Sequence, residues 1–364
     1  MIKLLIVANE LAGGGAERVL IMFLEALRPP EYVVDLLLVR NKGVYMSAVP
    51  AHINVITMID VKHGDVPFPT KVEQLEGYCR EHLRTDYDIE VAFLEGPPTK
   101  LISYHTNTQA YKLAWVHTDL MNVHWTYAYY SSDEEERAAY ERFDEIVFVS
   151  EGCREAFFQR FGQMVLPSSV ITNPTDIDTI LQRSTEFYVP RYPFCFCIIA
   201  SLCARKGQGR LLHAMGRLFK EGFRFHLNMV GEGNNTSYLK ELSHILNIHD
   251  YVHFLGFQPN PYPYMASCDV VVSSSISEGF PLVLCEALCL QKPILATCCT
   301  GNRDVLRNGR FGLLLDNTEE GLYQGMKRVI TDEALLFDLK QRSALGKDSL
   351  QFNDTIKQDR KSVV

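Results

Sequence analysis

Ile2–Leu27 reads IKLLIVANELAGGGAERVLIMFLEAL, and Phe194–Phe219 reads FCFCIIASLCARKGQGRLLHAMGRLF. Each begins with a short apolar run, turns through a loop that carries glycine, and continues with apolar residues at helical spacing. A strand buried on both faces reads as a near-continuous apolar run, whereas an amphipathic helix repeats its apolar positions every three or four residues. Strand, glycine loop and helix together open a doubly wound α/β domain. What recurs is the architecture and not the residues, so the 364-residue chain is expected to hold two such domains.

Further short apolar runs extend both halves. Strands are expected at 2–8, 33–39, 53–58, 89–93, 111–116, 145–149 and 169–172, then at 194–200, 225–230, 251–255, 269–273, 294–297 and 312–315. Alternation of such runs with helix-compatible segments predicts parallel sheets flanked by helices. The polar stretch PTDIDTILQRSTEFYVPRYP, 174–193, is bracketed by prolines and reads as a linker. The expected domains are therefore 1–173 and 194–345, with 346–364 a closing helix or a tail. Ligands of such sheets gather beyond the carboxyl ends of the strands.

Composition narrows the function. A net charge of -8 leaves no surplus of Lys and Arg to neutralise phosphates, which argues against nucleic acid as a partner. No stretch reaches the length of a membrane span, and the N-terminal apolar run is too short for a signal peptide. A cytosolic protein is expected. The chain has 10 cysteines, several in strand-like runs (Cys195, Cys197, Cys285), where a thiol acts as a small hydrophobe. Paired Cys-x2-Cys units are missing, so no structural zinc is expected.

Four loops carry chemistry. In SEGFPLVLCEAL, Ser277–Leu288, Glu278 precedes a Gly-Phe-Pro turn and Glu286 interrupts an apolar helix. A carboxylate there is costly unless something donates hydrogen bonds to it. A vicinal diol such as a ribose supplies two donors, while solvent exposure or a pair with Lys292 is the plain alternative. In CARKGQGRLLHAM, Arg205 and Lys206 stand between a strand and a helix, where a cation and helix-terminal amides suit a phosphate. The GGG run at Gly13–Gly15 lets a backbone approach a ligand but breaks the G-x-G-x-x-G spacing, which disfavours a dinucleotide dehydrogenase. In AWVHTDLMNVHW, His117 ends an apolar strand, either as a ligand contact or as a buried structural histidine. His117 with His124 lacks a third metal ligand, and Asp176-Ile177-Asp178 lies in the linker, where it reads as a helix entry. Residues 125–142, WTYAYYSSDEEERAAYER, read as a mobile loop before a solvated helix, or as a packed loop.

Together these motifs resemble glycosyltransferase family 4, the retaining transferases of the GT-B fold: two Rossmann-like domains facing across a cleft. Glu278 and Glu286 match its E-x7-E motif. GGAER at 14–18, His117, VSE at 149–151, NP at 173–174, KG at 206–207, VGEG at 230–233, FLGF at 254–257 and TGNRD at 300–304 fall in the family's order. The resemblance implies a retaining, metal-independent transferase that needs no cofactor. Its donor would be a nucleotide diphosphate sugar, by expectation a UDP-sugar, and its acceptor a glycan, lipid-linked or protein group in cell-surface polysaccharide synthesis. Contact with the inner face of a membrane would be peripheral.

By the same resemblance, Glu286 would hold the ribose and Lys206 the diphosphate. Glu278 would hold the transferred sugar, with Gly279, Phe280, Pro281 and Leu282 shaping its pocket. Gly231, Gly233 and the segment Phe254–Phe257 would flank the base. Gly14 and Gly15 would approach donor phosphates or acceptor, and His117 would reach the sugar or reaction centre. Retention would follow front-face attack, the leaving phosphate oxygen taking the acceptor's proton. One departure stands out: Ser201 occupies a position where many members carry a phosphate-binding Arg, which Arg205 would replace. A sugar-nucleotide epimerase of the same fold, or a decayed binding subunit, is the alternative.

Overall fold

The computed structural model describes residues 1–107 and 109–351. The chain divides into two compact units, Met1–Asn173 and a second beginning at Pro174. In the first, β1 (Ile2–Ala8), β2 (Tyr32–Arg40), β3 (Asn54–Ile59), β4 (Ile89–Phe93), β5 (Tyr111–Val116), β6 (Glu145–Phe148) and β7 (Ser168–Val170) form one sheet in the order β3-β2-β1-β4-β5-β6-β7. In the second, β8 (Cys195–Ile199), β9 (His226–Val230), β10 (Val252–Gly256), β11 (Val270–Ser273), β12 (Ile294–Thr297) and β13 (Leu313–Leu315) are ordered β10-β9-β8-β11-β12-β13. Every pairing is parallel. Each strand expected from the sequence is present.

The strand order reverses between β1 and β4 in one unit and between β8 and β11 in the other. Loops leaving the carboxyl ends of these neighbours diverge to opposite faces and leave a crevice where a ligand fits. The central strands are buried on both faces, and β8 shows how: Phe196 and Ile198 enter one apolar cluster while Cys195 and Cys197 enter the other. The C-x-C spacing is thus the period-2 alternation of a strand. Burial pushes the Cys195 thiol up to about 12, which keeps it protonated and inert.

Three segments resolve readings that composition left open or incomplete. The proline-bracketed stretch after 173 contains a helix, Ile177–Arg183, whose Ile180 packs with Tyr262 and Cys289 in the second unit. Asp176 caps it by accepting from Thr179 N at 3.0 Å, the helix-entry role expected of that acid. The aromatic–acidic stretch adopts the packed alternative. Glu136, in the helix Asp133–Tyr140, is wholly buried and accepts from Thr126 Oγ1 at 2.9 Å, with His124 Nε2 at 2.7 Å. Such a carboxylate costs too much to bury around a loose loop. At the C-terminus a helix runs Glu333–Gln351; the rest of the expected closing segment, 352–364, lies outside the described residues.

Candidate functional site: two strand-order reversals

In the second unit the loops that leave β8 and β11 bring Lys206 and Glu278 together, Nζ to Oε1 at 2.6 Å. Lys206 ends a short 3-10 turn, Ala204–Lys206. Gly207 follows in the left-handed region at φ 66°, and the helix Gln208–Lys220 then begins. A Cβ at Gly207 would lie 2.1 Å from the Ser274 carbonyl oxygen, so only glycine lets the two loops touch. Ser274 Oγ donates to the Lys206 carbonyl at 2.7 Å, and Ile276 N to the Arg205 carbonyl at 2.8 Å. Gly301, from TGNRD, donates its N–H to the Glu278 carbonyl at 2.9 Å.

Glu278 is 7% exposed. Burial pushes its carboxyl up, but the charges of Lys206 and Arg205, with hydrogen bonds from Lys206 and Ser275, outweigh that and hold it below the usual carboxylate range. Gly279 and Phe280 turn the chain, Pro281 sits one residue before the helix Leu282–Cys289, and Leu282 opens it. Pro281 is thus the cap rather than the first helical residue. Glu286 lies on this helix, 5% exposed, and accepts from Tyr262 Oη at 3.3 Å. Lys292 does not serve it, because its ammonium donates to the Ala266 and Cys268 carbonyls. The solvent-facing reading of Glu286 is therefore excluded.

Beside this crevice lies a hollow of about 420 Å³ whose lining includes Leu202, Gly231, Gly233, Lys240, Phe254 and Gly256. It joins two of the motifs read from the sequence, VGEG and FLGF. Phe257 is not part of that lining and is 38% exposed. Ser201 and Arg205 are both exposed on the loop after β8. The Arg205 guanidinium has no ion-pair partner among the described residues.

Sequence reading missed the polar frame behind the pair. Arg210 donates to the Ser274 carbonyl and the Asn317 carbonyl, both at 2.8 Å; Asn317 Nδ2 donates to the Ile276 carbonyl and Thr297 Oγ1 to the Ser275 carbonyl. Arg210 did carry a signal. A cation in the first turn opposes the helix dipole and implies that its guanidinium is bonded elsewhere. Asn317 and Thr297 carried none.

In the first unit, Gly14 caps the helix Gly15–Ala26 at the carboxyl end of β1. His117 stands at the carboxyl end of β5, 8% exposed, its ring 4.7 Å from Phe93 and 5.8 Å from Trp115. Burial lowers its pKa to about 3, so the imidazole is neutral at ordinary pH, and its Nε2 has no hydrogen-bond partner among the described residues. Glu95, at the end of β4 and wholly buried, accepts from His117 N at 2.9 Å and from Trp125 Nε1 at 3.0 Å. Glu95 and Trp125 were not singled out by sequence.

Solved structures match the whole chain. With the Anabaena protein HepE in complex with UDP and glucose, the TM-score is 0.78 at 20% identity over 100% of this chain and 99% of that one. With a sucrose-phosphate synthase from Thermosynechococcus elongatus it is 0.80 at 17% identity, over 100% and 98%. The fold is GT-B, as expected from the sequence.

Residues 187–349 match the family described as glycosyl transferases group 1. An N-acetylgalactosaminyltransferase of Campylobacter jejuni, acting on N-acetylgalactosamine-N,N'-diacetylbacillosaminyl-diphospho-undecaprenol, is 30% identical over 54% of this chain and 53% of its own length. The lipopolysaccharide 1,6-galactosyltransferase of Salmonella typhimurium is 25% identical over 51% and 52%. The chain thus spans about half the length of these curated relatives. No helix among the described residues is long and apolar enough to cross a membrane.

Proposed function

We propose that the protein is a retaining glycosyltransferase that moves a sugar from a UDP-sugar to a glycan or lipid-linked acceptor. The observation that carries this reading is the meeting of Lys206 and Glu278 at the reversal of the second sheet, with Glu286 on the next helix. The relatives named above, two of them acting on bacterial glycolipids, support the substrate class.

In this reading an incoming diphosphate takes the Lys206 ammonium from Glu278. The released carboxylate then accepts hydroxyls of the donor sugar, while Glu286 and Tyr262 hold the ribose and the hollow beside Gly231 and Phe254 holds the base. The glycosidic C–O bond to the β-phosphate breaks as a C–O bond to the acceptor hydroxyl forms on the same face. The acceptor proton passes to the leaving phosphate oxygen. Negative charge thus grows on the diphosphate, where a fixed ammonium and loop amides favour the transition state over the ground state. In the first unit the neutral His117 imidazole is available as a hydrogen-bonding group rather than a charge.

The test is a panel of nucleotide sugars assayed for binding and hydrolysis with the parent and with Lys206→Ala and Glu286→Ala. Donor affinity must fall in both variants. Equal affinity in all three proteins removes the assignment.

A further inference from the structure

The loop after β5 is built more rigidly than a connection requires. Glu95 receives one N–H from the His117 backbone and one from the Trp125 indole, so a single buried carboxylate fixes both. Lys100, 1% exposed, donates to the Tyr129 carbonyl at 2.7 Å and to Glu135 at 2.6 Å. Tyr130 Oη donates to the Gly96 carbonyl at 3.3 Å, and Thr126 and His124 bond Glu136. Apolar packing would hold a loop without the desolvation of three charged groups. These groups instead specify one placement of what the loop carries.

What it carries is a half-buried indole. A Cβ at Gly96 would come within 2.9 Å of the benzo edge of the Trp125 ring, so the indole packs closely against the bare backbone there. Tyr129 meets it edge-on at 5.9 Å, and Tyr127 beside it is 70% exposed. The other oxygen of the shared carboxylate holds the His117 backbone N–H, so the indole and the end of β5 are fixed by one group. An aromatic side chain held in one place by a buried carboxylate matches a pyranose, which has an apolar face of C–H groups and a rim of hydroxyls. A phosphate or a lone alcohol has no such face.

We propose that Trp125 is the stacking platform for a pyranose ring of the acceptor, with Glu95 as the residue that positions it. The acceptor is then a glycan, free or already on a carrier, and not a bare lipid phosphate or a protein hydroxyl. This rests on the transferase reading for its meaning, but the platform is tested without turnover.

The chain has 2 tryptophans, and the other, Trp115, is buried. Both indoles fluoresce, so the part of a ligand-induced change that Trp125→Phe abolishes is the part that reports on Trp125. Methyl glycosides of glucose, galactose, N-acetylglucosamine and N-acetylgalactosamine, in both anomers, are titrated into the full chain. Binding is followed by fluorescence and by saturation-transfer NMR. At least one is expected to bind saturably and to shift the emission. Trp125→Ala should weaken that glycoside tenfold or more. Trp125→Phe, the safer variant for folding, should keep measurable binding but lose the fluorescence response. UDP affinity should be unchanged in both. If no glycoside binds the parent, or if folded Trp125→Ala binds as the parent does, the platform is wrong. A parent that binds a glycoside through Trp125 but no nucleotide sugar would instead defeat the transferase reading.

Discussion

The two units share a strand order around their reversals yet solve opposite electrostatic problems there. In the second, an ammonium and a carboxylate neutralise each other across two loops, 2.6 Å apart, with Glu278 held ionised by its neighbours. In the first, a wholly buried carboxylate is satisfied by neutral N–H groups, and the adjacent histidine is held uncharged by burial. The topology provides the crevice in both cases. The side chains at the strand ends decide whether it holds a charged pair or a neutral hydrogen-bonded carboxylate frame.

The largest break in that comparison should come from Lys206→Ala. It removes the ammonium paired with Glu278 and the proposed partner of the diphosphate. Turnover of the nucleotide sugar should fall about 10²–10³-fold, read from nucleotide release; a loss below tenfold means the ammonium is merely structural. Glu286→Ala should weaken UDP and UDP-sugar alike by about 1.5–3 kcal/mol, measured by calorimetry. Glu278→Gln, by contrast, should weaken the UDP-sugar but spare UDP, which separates the two acids of the motif.

Gly207→Ala tests the contact between the loops. Its Cβ meets a carbonyl oxygen and its φ is positive, so unfolding free energy should drop by about 1–3 kcal/mol in urea denaturation. An unchanged midpoint would mean that the loops part without cost.

The pH axis separates the two reversals. His117 has a folded pKa of about 3, below its unfolded value near 6.5. Between these values the unfolded chain binds more protons, so stability rises with pH. The contribution of His117 is complete above about pH 6.5 and is lost as pH falls toward 3, at about 1.4 kcal/mol per unit. His117→Gln should flatten the profile between pH 6 and 4; if it does not, the imidazole is more solvated than its burial implies. Glu278, also lowered, acts only further down: its contribution is full above its unfolded value of about 4.3 and disappears below it. The smallest effect is expected from Arg205→Ala. An exposed guanidinium with no ion-pair partner among the described residues should change UDP affinity by less than about 1 kcal/mol; a larger loss would make it the replacement for the arginine absent at Ser201.

Much of this was legible in the chain. The period of apolar residues located every strand to within two positions, since a strand buried by helices on both faces must be apolar throughout. Glu286 was visible as a charge inside an apolar run, Glu278 as an acid before a Gly-Phe-Pro turn, and Lys206 as a cation between a strand and a helix. Arg210 was half-legible, as a cation at the wrong end of a helix dipole. Glu95 and Trp125 escaped because an acid after a strand and a tryptophan in a loop are individually ordinary. Only their shared hydrogen bonds, across 30 positions of sequence, give them meaning.

The sequence by itself therefore determined the two doubly wound units and the charged residues of the second. These follow from local periodicity and from the cost of burying charge, both of which act over a few neighbouring residues. The tertiary structure alone decided which loops touch, that Lys206 is clamped to Glu278, that the 125–142 stretch is pinned, and that His117 is neutral. Those depend on strand order, which sets distant strand ends side by side, and on desolvation, which no single stretch of chain can impose on itself.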